Sequence, residues 1–369
     1  MMMFMVGCVG AAAMDAGGRN LNTVITGCLH PATDEVVRYF EGGRVYSLQI
    51  ESTLACPQGC RYCYAPADAA RAGELPADDI AATLSSAAKM GVKAVDWLGG
   101  DPLVRKDWYD LAERARDLGF VNNIWSSGIP LADPEVAEHA VAVTEGGFIS
   151  VHLDTLDPVI YAQLHDGDAG EKIRAIRRGI ENLVAFGKPT AELVNCITFT
   201  RPLAGEDVMK TIRHFCEEVG TAICLTQICT VGRACRHPEW VPTAGEVQDA
   251  CRARDAICYP GSPFSFETMD VNKFYCGSVI CVTVDGDVTP CSVIRKGFGN
   301  IREQSLSRIV EEHRSELLFS GMRQQGPNSS LCTRCEQNVV CWGCRATAYY
   351  ETGDLCGPDP KCWRAAPGR

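Results

Sequence analysis

The sequence contains no apolar run of the ~20 residues that a membrane span needs, and no Lys/Arg-rich run of the kind that tracks a nucleic-acid backbone. Both absences point away from a membrane span and a nucleic-acid partner. Long low-complexity stretches and internal repeats are missing too. Only 22% of residues are charged against 46% hydrophobic, so the chain can fill a core and is not disordered throughout. The opening MMMFMVGCVGAAAM lacks the basic flank of a signal peptide and turns polar at Asp15. A signal peptide is therefore disfavoured, and a start at Met14 is an alternative. At 369 residues and a formal net charge of −11, the chain suits one large domain plus a small one.

What the sequence has in excess is cysteine, at 21 residues. In a short secreted chain this would mean disulfides. Here the chain is long, and its cysteines cluster at short gaps that suit metal ligation. The ligand is the thiolate, so a reducing cytoplasmic location is expected.

Residues 45–229 alternate short apolar runs with amphipathic stretches. Strands are expected at 45–50, 94–98, 124–126, 148–153, 193–198 and 223–229. Helices are expected at 76–90, 108–118, 134–143, 171–186 and 205–219. Six strand–helix units argue a parallel α/β sheet or an incomplete barrel, fewer than the eight of a closed one. Residues 236–274, with Pro238, Pro242, Pro260 and Pro263, read as a linker with one helix at 244–255. VICVTVDGDVTPC reads as a hairpin turning at Asp285-Gly286-Asp287. A helix at 306–319 and a cysteine-rich loop region follow. The expected division is an N-terminal extension 1–44, a core 45–235, a linker 236–274 and a C-terminal domain 275–369.

Cys56-Pro-Gln-Gly-Cys60-Arg-Tyr-Cys63 follows the first strand, at the strand end where parallel α/β folds place their sites. Three thiolates in eight residues can hold three corners of a 4Fe–4S cubane and leave the fourth iron open. An open iron can chelate a small molecule through an amine and a carboxylate, and can pass an electron to a sulfonium. A zinc knot is the structural alternative, but zinc prefers paired CxxC arms and four ligands, and no fourth Cys or His lies close by.

CPQGCRYCY, with its aromatic Tyr62, resembles the signature of the radical S-adenosylmethionine (SAM) superfamily. The resemblance implies a partial (β/α)6 TIM-like barrel, an enzyme, and SAM as cofactor beside a catalytic cluster on Cys56, Cys60 and Cys63. The family's second motif, usually GGEP, appears after the second strand as Gly99-Gly100-Asp101-Pro102. There it implies that backbone and carboxylate hold the methionine amino group; Asp for Glu shortens the reach. The ends of the third and fourth strands imply SAM contacts at Ser127 and Asp154, and Tyr62 is counted with them. His152 reads as a core histidine; Asn195 and Arg233 are candidates for the site or for structure.

The C-terminal cysteines run Cys276-x9-Gly286-x4-Cys291, then Cys332-x2-Cys335-x5-Cys341-x2-Cys344, then seventeen residues to Cys362. Taken alone, the second group could hold one zinc. With VDGDVTPCSVIRKGFGNI and CWGCRATAYYETGDLCGPDPKC around it, the array resembles the SPASM extension of radical SAM maturases. That resemblance implies two auxiliary 4Fe–4S clusters. One would use Cys276, Cys291 and Cys344, with Cys281 as fourth ligand; the other Cys332, Cys335, Cys341 and Cys362. The usual three-residue gap before the fourth of these cysteines is two here, as in heme-synthesis and tungsten-cofactor members. Sulfatase-maturing members carry a catalytic Asp where this chain has Ser292.

The implied chemistry is reductive cleavage of SAM to a 5′-deoxyadenosyl radical, fed by a flavodoxin- or ferredoxin-type reductant, and hydrogen abstraction from the substrate. A peptide or protein substrate is ranked ahead of a tetrapyrrole or metallocofactor precursor, although only 44 residues precede the core, too few for a leader-peptide-binding domain. A non-catalytic iron–sulfur or zinc scaffold is the alternative from another class.

Overall fold

The computed structural model describes residues 33–65, 67, 73–258 and 272–364. The N-terminal apolar stretch, Cys8, Cys28, Pro260 and Pro263 lie outside the described residues.

Six parallel strands come first: β1 (Ser47–Glu51), β2 (Ala94–Leu98), β3 (Val121–Trp125), β4 (Ile149–His152), β5 (Leu193–Phe199) and β6 (Ala222–Gln227). Helices α2 (Ala77–Lys89), α3 (Trp108–Asp117), α4 (Pro134–Val143), α5 (Pro158–Leu164), α6 (Ala169–Ala185) and α7 (Glu206–Arg213) lie between or after them, and α8 (Ala244–Cys258) follows β6. Each helix turns one stripe inward. In α2 the stripe is Ile80, Thr83, Leu84 and Ala87, spaced by three and four, with Asp78 and Asp79 in the first turn and Lys89 in the last, as the helix dipole favours. Among the described residues no helix is long and apolar enough to cross a membrane.

The sheet order is β6-β5-β4-β3-β2-β1-β7-β8. β7 (Val279–Val282) pairs in parallel with β1, Ser47 opposite Val279, and antiparallel with β8 (Val288–Thr289). The expected hairpin is present, with Gly286 at φ 90° in its turn. Its first strand also extends the barrel sheet, a pairing that local sequence does not announce.

β1 and β2 are buried along their whole length. Leu48, Ile50, Val95 and Trp97 join the main hydrophobic core, as a parallel sheet covered by helices requires. The alternate residues Ser47, Gln49, Glu51 and Asp96 are polar, fully or almost fully buried, and each is spoken for. Asp96 accepts from Ser47 Oγ (2.7 Å), Asn123 Nδ2 (2.8 Å) and the Tyr275 hydroxyl. Gln49 Oε1 accepts from Ser292 N at 2.9 Å. Glu51 takes two hydrogen bonds from Arg295, at 2.6 and 3.0 Å, and one from Val284 N at 3.0 Å. The polar face of the first two strands is thus a socket for the C-terminal region.

Some elements depart from expectation. β3 starts at Val121 instead of residue 124, because Asn122 and Asn123 hide it. Asn122 is buried, with its amide on the carbonyls of Ala112 and Val143. The helix expected over 306–319 splits at His313 into α9 (Leu306–Glu312) and a single turn (Arg314–Leu317). The bend lets Leu317, Leu318 and Phe319 all bury, which one straight stripe would not. Helix α1 (Asp34–Glu41), capped by Thr33, was not expected; its Phe40 packs on Phe274 and Trp342 of the C-terminal region.

Candidate active site

The loop after β1 carries the three clustered cysteines and is clamped by backbone contacts. Arg61 N donates to Leu164 O (2.9 Å) and Asp166 N to Gly59 O (3.0 Å), with Gly59 at φ 67°. Lys172 Nζ donates to Gln58 O at 2.8 Å, and Gln58 Nε2 to His152 O at 2.6 Å. Arg233 holds the far side: its N donates to Cys63 O (2.9 Å) and its Nη1 to Cys60 O (3.3 Å). So Arg233, weighed between the site and structure, fixes the loop.

Cys56, Cys60 and Cys63 line one cavity of about 320 Å³, together with Gly99, Gly100, Tyr62, Ser127 and His152. Burial raises the Cys56 thiol to about 12 and lifts Cys60 and Cys63 as well. Three such thiols, crowded together and desolvated, ionise only against strong positive charge. That donor chemistry fits an iron–sulfur cluster.

The GGDP segment sits across from this loop, and its glycines are needed for a reason other than ligand approach. Gly100 N donates to Thr53 O (2.6 Å) and Asp101 N to Ala55 O (2.7 Å). A Cβ on Gly99 would stand 2.3 Å from Thr53 O, and one on Gly100 2.3 Å from Ala55 O. The two backbones are packed directly on each other. Asp101 is fully buried: Oδ2 accepts from Ser127 N (2.8 Å), Ser127 Oγ (2.5 Å) and Ser126 Oγ (2.9 Å), Oδ1 from Leu103 N (3.1 Å). Burial raises its carboxyl, with the serine bonds acting the other way. Asp101 and Pro102 lie behind the cavity wall, while Gly99, Gly100, Ser126 and Ser127 form it.

Asp154 is likewise placed behind the wall, not on it. It is fully buried and accepts from the Tyr62 hydroxyl and Thr198 N (2.8 Å), with His152 and His165 Nε2 at 3.2 and 3.3 Å. Burial alone would raise Asp154, but the two imidazoles hold it well below the usual carboxylate range. His152, read from sequence as a core residue, lines the cavity and hydrogen-bonds Tyr62 Oη at 2.8 Å. Asn195 is structural: its amide pairs with the backbone of Leu153 in both directions, at 3.0 and 2.9 Å. His165 was missed because it follows the short, unexpected helix α5, capped by Asp157.

Gly232 was missed as well. It lies at φ 63°, and a Cβ there would meet Tyr64 O at 2.2 Å and Cys63 O at 2.7 Å. Gly100→Ala and Gly232→Ala therefore push the cysteine loop from opposite sides. A misplacement of about 1 Å costs on the order of a hundredfold in rate. Both variants are expected to lose that much 5′-deoxyadenosine formation while the control Gly321→Ala, at φ −64° with nothing within 4 Å of the added Cβ, keeps it.

The same cavity reaches the C-terminal region, where Cys276, Cys291 and Cys344 line it. Cys344 N donates to Asp359 Oδ2 at 2.6 Å, and Thr347 N to Cys344 Sγ at 3.4 Å. The buried Arg345 of helix α10 (Arg345–Thr352) puts its guanidinium on the carbonyls of Trp342, Leu355 (3.1 Å) and Gly357 (2.6 Å). It thereby staples the CWGC loop to the segment ahead of Cys362. Cys332 lies within a short helix, Ser330–Arg334, and Cys335 ends it, while Cys341 Sγ accepts from Gly343 N at 3.1 Å. Cys281 is in β7, fully buried, and outside the cavity lining.

A radical SAM superfamily model matches residues 50–215, and the model of an iron–sulfur cluster-binding domain, SPASM, matches 274–336. The chain belongs to the radical SAM superfamily. It is an enzyme of the SPASM-containing kind, with SAM and 4Fe–4S clusters as its cofactors. Among solved structures it is similar to Streptococcus suis SuiB bound to precursor peptide SuiA: 18% identity, 89% of this chain and 79% of that one, TM-score 0.66. It is also similar to native anSMEcpe with bound AdoMet and Cp18Cys peptide: 14% identity, 86% of this chain and 94% of that one, TM-score 0.63. At these identities the likeness is one of fold. In this radical SAM protein the residues that would hold the catalytic cluster are Cys56, Cys60 and Cys63.

Proposed function

We propose that this radical SAM enzyme modifies a peptide or protein. The observation that carries the reading is the electrostatic character of the cavity. Among the described residues its lining contains no Lys, Asp or Glu. The one arginine among the described lining residues, Arg345, is committed to four backbone carbonyls. A tetrapyrrole or nucleotide-like precursor carries several carboxylates or phosphates, which are recognised by Arg and Lys forks. A peptide backbone and uncharged side chain need only amides, hydroxyls and apolar walls, such as Gln49, Ser150, Thr198, Thr226 and Trp125 supply here. Two structures of the same fold, SuiB and anSMEcpe, are described with bound peptides, which agrees with this reading.

When bound, the cluster on Cys56, Cys60 and Cys63 supplies reductive cleavage of SAM. The protein's own part is to position and to exclude water. Gly99, Gly100, Ser126 and Ser127 form a wall that would hold SAM, and Asp101 orients both serines from behind. Tyr62, tied to Asp154 and His152, keeps the cysteine loop from turning. A flavodoxin- or ferredoxin-type protein is the proposed electron donor. Ser292 lines the cavity but is not a base, so formylglycine synthesis through an aspartate at that position is not the proposed reaction.

The test is co-expression with peptides encoded beside the gene, followed by mass spectrometry. A mass change in a peptide that needs Cys56, Cys60 and Cys63 supports the reading. Consumption of a tetracarboxylate tetrapyrrole, with every peptide unchanged, overturns it.

A further inference from the structure

The cluster nearest the barrel needs a fourth ligand or has an open iron, and the two states differ in what they can do. An open iron can bind substrate; a cluster closed by four thiolates exchanges electrons only. Sequence reasoning points to Cys281. Cys281 is not among the residues lining the cavity that the three cysteines share, although Cys291 acts on it electrostatically. Cys281 stands opposite Thr289 in the β7–β8 register, and the Thr289 hydroxyl donates to Cys291 O at 2.9 Å.

Cys229 has the opposite placement. It lies two residues past the end of β6, buried at 9% exposure, and lines the cavity with Cys276, Cys291 and Cys344. Its Sγ is 3.7 Å from Thr347 Oγ1, and Thr347 N donates to Cys344 Sγ at 3.4 Å, so one threonine joins the two cysteines. Cys291 is near enough to interact with it electrostatically. Cys229 and Cys344 sit in one apolar cluster with Trp342 and Ala346, against which Cys276 and Cys291 pack. Four thiols from four separate segments thus line the same cavity and pack on one apolar cluster.

We propose that Cys229 is the fourth thiolate ligand of the auxiliary cluster held by Cys276, Cys291 and Cys344. The cluster is then closed and serves electron transfer, not substrate binding. It also cross-links the barrel to the C-terminal region through iron. The proposal rests on the assignment of iron–sulfur clusters to this chain.

The test uses the full chain with Cys56, Cys60 and Cys63 replaced by Ala, so that the three-cysteine site adds no signal. One-electron oxidation by ferricyanide takes a 4Fe–4S cluster from the 2+ to the 3+ state and yields ferrocyanide. Where one iron lacks a thiolate, Fe2+ leaves and a paramagnetic 3Fe–4S+ cluster remains. The parent is expected to give no such electron paramagnetic resonance signal. Adding Cys229→Ala is expected to give about one 3Fe–4S cluster per chain, or to lose about four Fe outright, while Cys281→Ala behaves as the parent. A signal from Cys281→Ala and none from Cys229→Ala overturns the proposal, and so does a signal already present in the parent. If Cys229→Ala does not fold, Cys229→Ser is read on the dithionite-reduced protein: a shifted auxiliary spectrum supports the ligand, an unshifted one removes it. Zinc in place of iron in the unmodified chain would sink the cluster assignment itself, a distinguishable result.

Discussion

Replacing Cys56, Cys60 and Cys63 together by Ala is expected to abolish dithionite-dependent formation of 5′-deoxyadenosine from SAM. In the anaerobically reconstituted protein, bound iron is expected to fall from about twelve to about eight per chain. The reason is the donor set. All three thiols face one cavity, burial raises each of them, and they are the residues proposed to hold the catalytic cluster. Single replacements test the same point less cleanly, because two remaining thiols can retain part of a cluster. The eight iron atoms left behind are as informative as the four lost: they would belong to the C-terminal cysteines. Iron falling with SAM cleavage intact would put the catalytic cluster elsewhere. About four Fe with activity would remove the auxiliary clusters and keep the enzyme.

The second large effect is on stability. Arg295→Met is expected to cost about 3–5 kcal/mol, because it leaves the Glu51 carboxylate buried and uncompensated. Glu51 is completely inaccessible, and Arg295 covers it with a two-pronged bond. Pairing the change with Glu51→Gln is expected to recover most of the loss, since no charge is then stranded. Denaturant midpoints of the four proteins, measured anaerobically at equal iron content, give the coupling directly. A loss below 1 kcal/mol in the single variant would mean that water reaches Glu51. The position matters beyond stability. Glu51 closes the same strand from which the cysteine loop starts, and Arg295 stands four residues past Cys291. Iron loading at both ends of the cavity is expected to suffer with the pair.

The α/β class and the six parallel strands were legible because a buried parallel strand is an apolar run between polar, periodic helices. What escaped was anything that depended on partners distant in sequence. β7 was read as half of a hairpin, since its other neighbour, β1, lies more than two hundred residues upstream. Gln49, Glu51 and Asp96 look like errors in an apolar strand until the residues they hold, Ser292, Arg295 and Tyr275, are known. The two carboxylates of the site were visible as motif residues, but not their direction. Asp101 and Asp154 both turn away from the cavity to bind its wall from behind. Gly232 is a single glycine in an irregular stretch, and only the carbonyls of Cys63 and Tyr64 above it show why a side chain cannot be there.

The pairing of β7 with β1 changes what the C-terminal region is. A chain cut ahead of β7 would lose the neighbour of its own first strand, and would present to water an edge of unpaired amides flanked by Leu48 and Ile50. Such edges recruit other chains. The two-residue β8, by contrast, ends the sheet on a stub too short to template anything. The C-terminal region therefore extends the barrel's own sheet beside β1 as well as carrying the iron–sulfur-binding domain. Shortened versions of this protein would report on aggregation before they could report on catalysis.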